Sequence, residues 1–268
     1  MAYISFLLSF MQKKETVERL STLKKAFFIF EYLGDAHAAI SLVEICQHTK
    51  IPKPTAYRIL TELVQMNYMT KTNHKYEIGV GFLSLAKSAF HGTRDVRELV
   101  RRHMIVLRET YGESVNFAVW ERKHAVLIAS EPSGHPFRIE NKIGQVFALH
   151  CTTIGKVIAA HLPWSTVEEI IERDGMPKQT PHTVTDPEMF QEELERVRAV
   201  GYAVDDEESV EGVRCTAVPI FRSGNTIYGG LSISGPVNRM PRELIERMAK
   251  DLQIAGYRIS FELSSVSE

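Results

Sequence analysis

Apolar side chains first recur at helical spacing in residues 17–33. Leu20, Leu23, Phe27 and Phe30 stand three or four apart, which predicts an amphipathic helix that Gly34-Asp35 ends. Ser41 opens a second, shorter helix, with Glu44 three positions on as a capping-box partner. Leu42, Ile45 and Cys46 face inward on it, and it dies at His48-Thr49-Lys50. A third helix is predicted from about Pro54 to Met66, with Ala56, Ile59, Leu60 and Leu63 as its buried stripe. Pro54 suits the first turn, where its missing N–H costs nothing. Alternation over Tyr68–Ile78, broken by Asn73-His74, predicts a two-stranded hairpin. Three helices and a hairpin in this order, with a short turn between the second and third helices, is the order of a winged helix-turn-helix.

A further helix is expected over residues 81–90, a hinge at His91–Arg94, and a larger half from near Asp95. There Val96, Leu99, Val100, His103 and Leu107 form a helix stripe closed by Tyr111-Gly112. Alternating strands follow at Val115–Trp120, Ala125–Ser130, Phe137–Asn141 and Val146–His150. Helices are predicted at Ile154–His161, Thr166–Arg173 and Pro187–Val200. Strands return at Tyr202–Asp205, Cys215–Phe221 and Thr226–Ser234, before a long terminal helix over Pro241–Leu263. Neighbouring strands with helices at the ends and between them predict an α+β class: a winged helix-turn-helix joined by a linker helix to an antiparallel sheet with helices packed on it. The expected divisions are an extension at 1–15, the winged domain at 16–79, linker helix and hinge at 80–94, and the second domain at 95–268.

Charge sharpens the picture only locally. The chain has 268 residues and a net charge of −1, yet residues 12–78 hold ten Lys/Arg against seven Asp/Glu. A basic N-terminal part thus sits on an acidic body. Three cysteines, Cys46, Cys151 and Cys215, cannot pair completely and fall in no CxxC spacing, which argues for a reducing cytoplasm and against a disulfide framework or structural zinc. The opening run MAYISFLLSFM is too short to span a bilayer and lacks a signal peptide's basic start. It is expected to be an extension, or to precede a start at Met11. No cofactor, metal or membrane partner is expected.

With the stripe of the third helix buried, Thr55, Tyr57, Arg58, Thr61 and Glu62 lie on its outer part, and Lys53 projects near its start. A recognition helix presents long polar residues from its N-terminal part to the major groove. Arg58 can grip a guanine edge bidentately, while Thr55 and Tyr57 can hold phosphates or a thymine methyl. Ser41 and the N–H groups of its helix can take a phosphate. Lys71, His74 and Lys75 put charge on the wing. The alternative is ordinary solvated residues on a small helical domain.

The segment SLVEICQHTKIPKPTAYRILTELVQMNYM resembles the helix-turn-helix of the IclR-type bacterial transcriptional regulators. GYAVDDEESVEGVRCTAVPIF is similar to the signature of their effector-binding domain, with Gly201, Asp205, Glu208, Cys215 and Ala217 at family spacing. GQVFALHCTTIGK resembles that domain's pocket loop, and GGLSISGP its C-terminal strand. The resemblance runs over about residues 17–263. It implies a homodimer, often a dimer of dimers, on palindromic or repeated double-stranded operator DNA, with the winged domains paired through their N-terminal helices. It also implies a repressor of a catabolic operon, released by a small organic acid or aldehyde. Pro54 stands where the family often has a small polar residue, and Thr216 and Arg222 depart from the usual signature.

Residue by residue, the resemblance implies a cup of Thr153, Ile154, Asp205, Cys215, Ser232 and Ser234, walled by Ile139, Phe147 and Val213. Its chemistry is coherent. Thr152-Thr153-Ile154-Gly155 precedes a helix whose N–H groups can receive a carboxylate, and Ser232 and Ser234 point to one face of a strand. Asp205 can accept from a ligand hydroxyl or from its own backbone. Cys215 can touch a ligand or serve as a small buried hydrophobe. The bulk of Thr153 and Ile154, where the family often has Gly or Ala, predicts a narrow cup for a short-chain keto, hydroxy or semialdehyde acid.

The competing readings are an enzyme of small acids or aldehydes carrying a helical interaction domain, and a metabolite sensor whose winged domain binds protein. The enzyme is disfavoured. His150-Cys151 with Asp205 and Cys215 lacks a nucleophile elbow, Gly79-Val-Gly81 is no dinucleotide fingerprint, and His91, His103, His124, His135, His161 and His182 show no ligand spacing.

Overall fold

A computed structural model describes residues 20–36, 38–89 and 94–265. The chain divides into two compact units, Met1–Gly92 and Thr93–Glu268. The expected N-terminal extension and the hinge residues 91–93 lie outside the described residues.

In the first unit α1 (Thr22–Ala36) is followed by β1 (Ile40–Ser41), α2 (Leu42–Thr49), α3 (Lys53–Gln65), β2 (Met69–Thr72), β3 (Lys75–Ile78) and α4 (Gly81–Ala89). The hairpin forms where alternation predicts it. Asn73 and His74 both take positive φ, 51° and 62°, the pair that a two-residue turn matching strand twist requires. Thr72 then faces Lys75 across the ladder. β1 adds a short third strand, with Ile40 opposite Tyr76, in the order β1-β3-β2.

The core joins Ile29, Leu33, Ile45, Ile51, Ala56, Ile59, Leu60, Met69 and Tyr76. This corrects the expected stripe of α1. Ile29 and Leu33 are the buried ridge, whereas Leu23 and Phe27 are 67% and 54% exposed. The helix carries two apolar ridges, and this small domain's core closes over only one. The helix also runs past Gly34-Asp35 to Ala36. Phe30 meets Phe82 of α4 edge-on at 4.7 Å.

The second unit contains α5 (Arg94–Tyr111), β4 (Ser114–Glu121), β5 (His124–Glu131), β6 (Val146–Phe147), α6 (Thr153–Ala159), α7 (Trp164–Asp174), α8 (Pro187–Val200), β7 (Ala203–Asp206), β8 (Val213–Arg222), β9 (Thr226–Pro236) and α9 (Arg242–Ser265). The six strands form one antiparallel sheet in the order β6-β5-β4-β9-β8-β7. Alternation sends Val115, Phe117, Leu231, Ile233, Val218 and Ile220 to one face, in a core with α5 and α9. Ala118, Ala203 and Ala217 go to the other face and pack with α6, α7 and α8.

The strand expected at Phe137–Asn141 is absent from the sheet. Pro132, Gly134 and Pro136 lead into it, and the Ile139 carbonyl accepts from the Ser114 hydroxyl at 2.7 Å instead of joining a ladder. The strand expected at Val146–His150 shrinks to Val146–Phe147. The Ala148 carbonyl there accepts from the Thr152 hydroxyl, and the chain turns into α6.

Two glycines let α6 lie close to its surroundings. A Cβ on Gly230 of β9 would stand 2.9 Å from Val157 Cγ2, and one on Gly155 would strike the Ala148 carbonyl and stand 2.6 Å from Leu149 Cα. The obstacle at Gly155 is backbone, which cannot swing aside. Gly155→Val is therefore expected to cost at least about 1–3 kcal/mol, as overpacking does, read as a lower midpoint in urea unfolding. An unchanged midpoint would show that α6 does not rest on the 148–149 turn.

Candidate nucleic-acid interface and ligand cup

Helix α3 owes its orientation to its buried stripe. Ala56, Ile59 and Leu60 are buried, so Lys53, Tyr57, Arg58 and Glu62 face outward and Thr55 and Thr61 are half-buried. Pro52 caps the helix with no side-chain bond, and Pro54 follows in the first turn. The N–H groups of Lys53 and Thr55 thus begin a helix that no side chain caps. On the hairpin, Lys71, His74 and Lys75 are exposed. The Lys71 ammonium lies 5.8 Å from the centre of the Tyr57 ring and 5.4 Å from that of Tyr76. Helix and wing thereby present one continuous basic and aromatic surface.

Ser41 has a different occupation. Its Oγ–H donates to Glu44 Oε2 at 2.6 Å, its N–H donates to the same oxygen at 2.9 Å, and its Oγ accepts from the Glu44 N–H at 3.3 Å. These bonds hold the Glu44 carboxyl below the usual range. A carboxylate at this helix start repels phosphate, so Ser41 is read as a cap.

In the second unit, strand register gathers the polar cup residues. Ser114, Ser234, Cys215 and Asp205 are direct neighbours across β4, β9, β8 and β7, and Asn116 and Ser232 form the next row. Both rows share the face that carries α6. Where α6 covers this face it bears Ala118, Ala217 and Gly230, and beyond that it turns to serine, asparagine, cysteine and aspartate. Thr153 lies in the first turn of α6 and is buried.

Several expected lining residues are committed elsewhere. Ile154 packs with Val157 against Gly230, and Phe147 packs against the same apolar cluster. The Gly155 N–H is taken by Thr152 Oγ1 and the Lys156 N–H by the Thr152 carbonyl. Asp205 ties its own loop, accepting from the Glu208 N–H at 2.7 Å and from the N–H and hydroxyl of Ser209. Val213 is buried, two residues before Cys215 on β8, and Ile139 is half-buried with its carbonyl on the Ser114 hydroxyl.

Of the charged group beside the cup, Lys156 and Glu193 had no part in the sequence reading, and Glu208 entered it only as a signature residue. Lys156, 0% exposed, donates to Glu193 Oε1 at 2.7 Å, Glu208 Oε1 at 2.5 Å and the Val204 carbonyl at 3.3 Å. Burial works against its charge, but the two carboxylates outweigh that and raise its pKa. Burial pushes Glu208 up to about 7 despite Lys156, with Glu193 and Asp205 adding to the rise. A lone lysine in the otherwise apolar run TIGKVIAA was the available signal, since buried lysines are paired. Asn116, 1% exposed, was missed too. Its signal was the polar alternate face of SVNFAVWE, matching that of Ser232 and Ser234.

The cysteines do not supply a nucleophile. Burial pushes the Cys151 thiol up to about 12 and raises that of Cys215 further, with the Asp205 charge adding in both. Thiols so placed stay protonated and inert. Burial lowers the pKa of His150, whose Nε2 pairs with the Pro177 carbonyl. Among the described residues no cluster of three His, Cys, Asp or Glu is placed to hold a metal, and no helix is long and apolar enough to cross a membrane.

Two family models match the chain: the IclR helix-turn-helix domain over residues 22–72, and the bacterial transcriptional regulator IclR C-terminal domain over residues 89–261. The transcriptional repressor IclR of Escherichia coli K12 is 26% identical over 247 residues, 88% of this chain and 90% of that protein. The HTH-type transcriptional regulator KdgR of the same organism is 29% identical over 251 residues, 92% and 94% of the two chains. The crystal structure of the Thermotoga maritima IclR superposes with a TM-score of 0.75 at 27% identity, covering 91% of this chain and 98% of that one. These families and relatives are transcriptional regulators rather than enzymes.

Two outcomes follow from the site geometry. Ser41→Ala should lower stability by about 1 kcal/mol, the usual value of a cap, and leave DNA affinity unchanged; a loss of affinity without loss of stability would return Ser41 to phosphate binding. The second concerns Glu208, whose folded pKa of about 7 stands above the ordinary 4.5. Its contribution to stability is complete below the ordinary value and is lost as pH rises through about 7. Thermal melts of wild type and Glu208→Gln should diverge across that window, with wild type losing more as pH rises. Parallel curves would show that Glu208 does not titrate there.

Proposed function

The chain belongs to the IclR family of bacterial transcriptional regulators, and from that premise we propose that it is a cytoplasmic repressor of a catabolic operon. It binds double-stranded operator DNA as a homodimer or a dimer of dimers, and a small organic acid or aldehyde in the cup releases it. Helix α3 enters the major groove, with Arg58 on a base edge and Lys53, Thr55 and Tyr57 on phosphates or a thymine methyl. Lys71, His74 and Lys75 of the wing hold the neighbouring backbone. The observation that carries this reading is the continuity of the α3 surface with the wing through the Tyr57–Lys71 contact. Phosphate contacts of this kind give affinity that falls with salt, and base contacts give specificity.

The ligand reading rests on the polar rows of the second unit, whose one carboxylate, Asp205, is taken up by its own loop. Lys156, the cation beside them, is already held by two carboxylates, so hydroxyl and N–H donors do the binding. That composition suits a small compound with one acidic or carbonyl group. A structure of an IclR homologue from Microbacterium hydrocarbonoxydans complexed with 4-hydroxybenzoate shares the fold, at 23% identity and a TM-score of 0.73 over 91% of this chain and 100% of that one. An enzymatic reading loses its nucleophile with the protonated thiols of Cys151 and Cys215.

The test is binding of the purified protein to DNA upstream of its own gene and its neighbours, with salt titration and a panel of small carboxylates and semialdehydes. Salt-sensitive binding that a panel member weakens is the expected result, and absence of specific binding under every condition would sink the reading. Arg58→Ala should cost roughly 1–3 kcal/mol of specific affinity and relax sequence preference. Untouched specific binding in this variant would show that α3 is turned differently on the DNA.

A further inference from the structure

Asn116 is the third residue of β4, on the polar face of the sheet, opposite Ser232 of β9 on one side and Ser130 of β5 on the other. It is nearly inaccessible to solvent. Its Oδ1 accepts from the Ser130 hydroxyl at 2.9 Å. Its Nδ2 is buried and has no hydrogen-bond partner among the described residues. Buried amide N–H groups without partners are rare because burial strips them of water without replacing it. Asparagine is also a poor choice for a central strand on propensity alone. The neighbouring Ser114 shows how the same face behaves when satisfied: its hydroxyl donates to the Ile139 carbonyl and accepts from the Ser133 N–H.

We propose that Asn116 is a specificity-determining contact for the effector, its Nδ2 donating to a carbonyl or carboxylate oxygen of the bound compound. This rests on the reading of the polar face as an effector site and adds which chemistry that site selects. A ligand oxygen satisfies an otherwise orphaned donor, so a compound lacking an acceptor at that point leaves the donor buried and unpaired. Discrimination then comes from the penalty of the wrong ligand as much as from attraction of the right one.

The test measures binding of pyruvate, lactate and succinic semialdehyde to the full chain by calorimetry and by thermal shift. Wild type is compared with Asn116→Leu and Asn116→Ala. Both variants should hold DNA as wild type does in the absence of these compounds. Both should bind the responding compound about ten- to a hundredfold more weakly, the usual effect of losing a hydrogen bond to a charged acceptor. The leucine variant removes the unpaired donor at similar volume; the alanine variant removes it without bulk. A loss with leucine but not with alanine reports crowding and overturns the assignment. Affinity within about twofold of wild type in both variants overturns it as well, while leaving the effector reading intact. If wild type binds its operator and none of the three compounds, the reading of this face as an acid or aldehyde site falls, and the assignment with it.

Discussion

Lys156 rises from the buried side of α6, and its ammonium is shared by Glu193 of α8 and Glu208 of the β7–β8 loop. Three separate pieces of chain are therefore tied to one charge, and the third bond, to the Val204 carbonyl, adds β7 itself. Buried pairs of this kind contribute little net stability against an apolar replacement, because desolvation offsets the attraction. Removing one partner is another matter, since it strands charge in the interior. The consequence is geometric: α6 cannot slide, α8 cannot lift away, and the loop carrying Asp205 and Glu208 is held against the end of the sheet. Thr180 and Thr183 add hydroxyl bonds to the carbonyls of the same loop.

That fixed frame makes one sheet face serve two purposes. Where α6 presses down, small residues such as Ala118, Ala217 and Gly230 allow close approach. Two residues further along the same strands the face carries Asn116, Ser232 and Cys215. The strand period puts both sets on one side without any change of register, so the apolar seat and the polar cup are built from the same alternation. Position along the strand, relative to the end of α6, decides which is which.

How much of this can be read from the sequence depends on whether the signal is local. The Asn73-His74 turn, the Ser41–Glu44 capping box and the stripe Ala56, Ile59, Leu60 are all visible because each lies within one or two helical turns or one hairpin. Helix α8 starts at Pro187 and ends at Val200 as periodicity predicts, since Asp186 caps it and Gly201 terminates it with φ 79°. The misses share one cause. Leu23 and Phe27 form a ridge as apolar as Ile29 and Leu33, and only tertiary packing chooses between them. Phe137–Asn141 alternates like a strand, but the preceding prolines and the Ser114–Ile139 bond remove it from the ladder. Asn116 and Lys156 are informative only when paired with residues on other strands and helices, through registers and contacts that periodicity does not reveal.

The cup also constrains how regulation can work. Asn116, Ser114, Ser232 and Asp205 are each no more than about 2% exposed, so a ligand reaches them only by displacing what covers them. Displacement costs free energy that the ligand's own contacts must recover, and this favours compounds that satisfy every donor they meet. A ligand of equal affinity for the DNA-bound and free arrangements would change nothing, however tightly it bound. Coupling therefore requires that the opened or refilled cup be compatible with one arrangement more than the other, and linkage then makes DNA and ligand alter each other's affinity by the same factor.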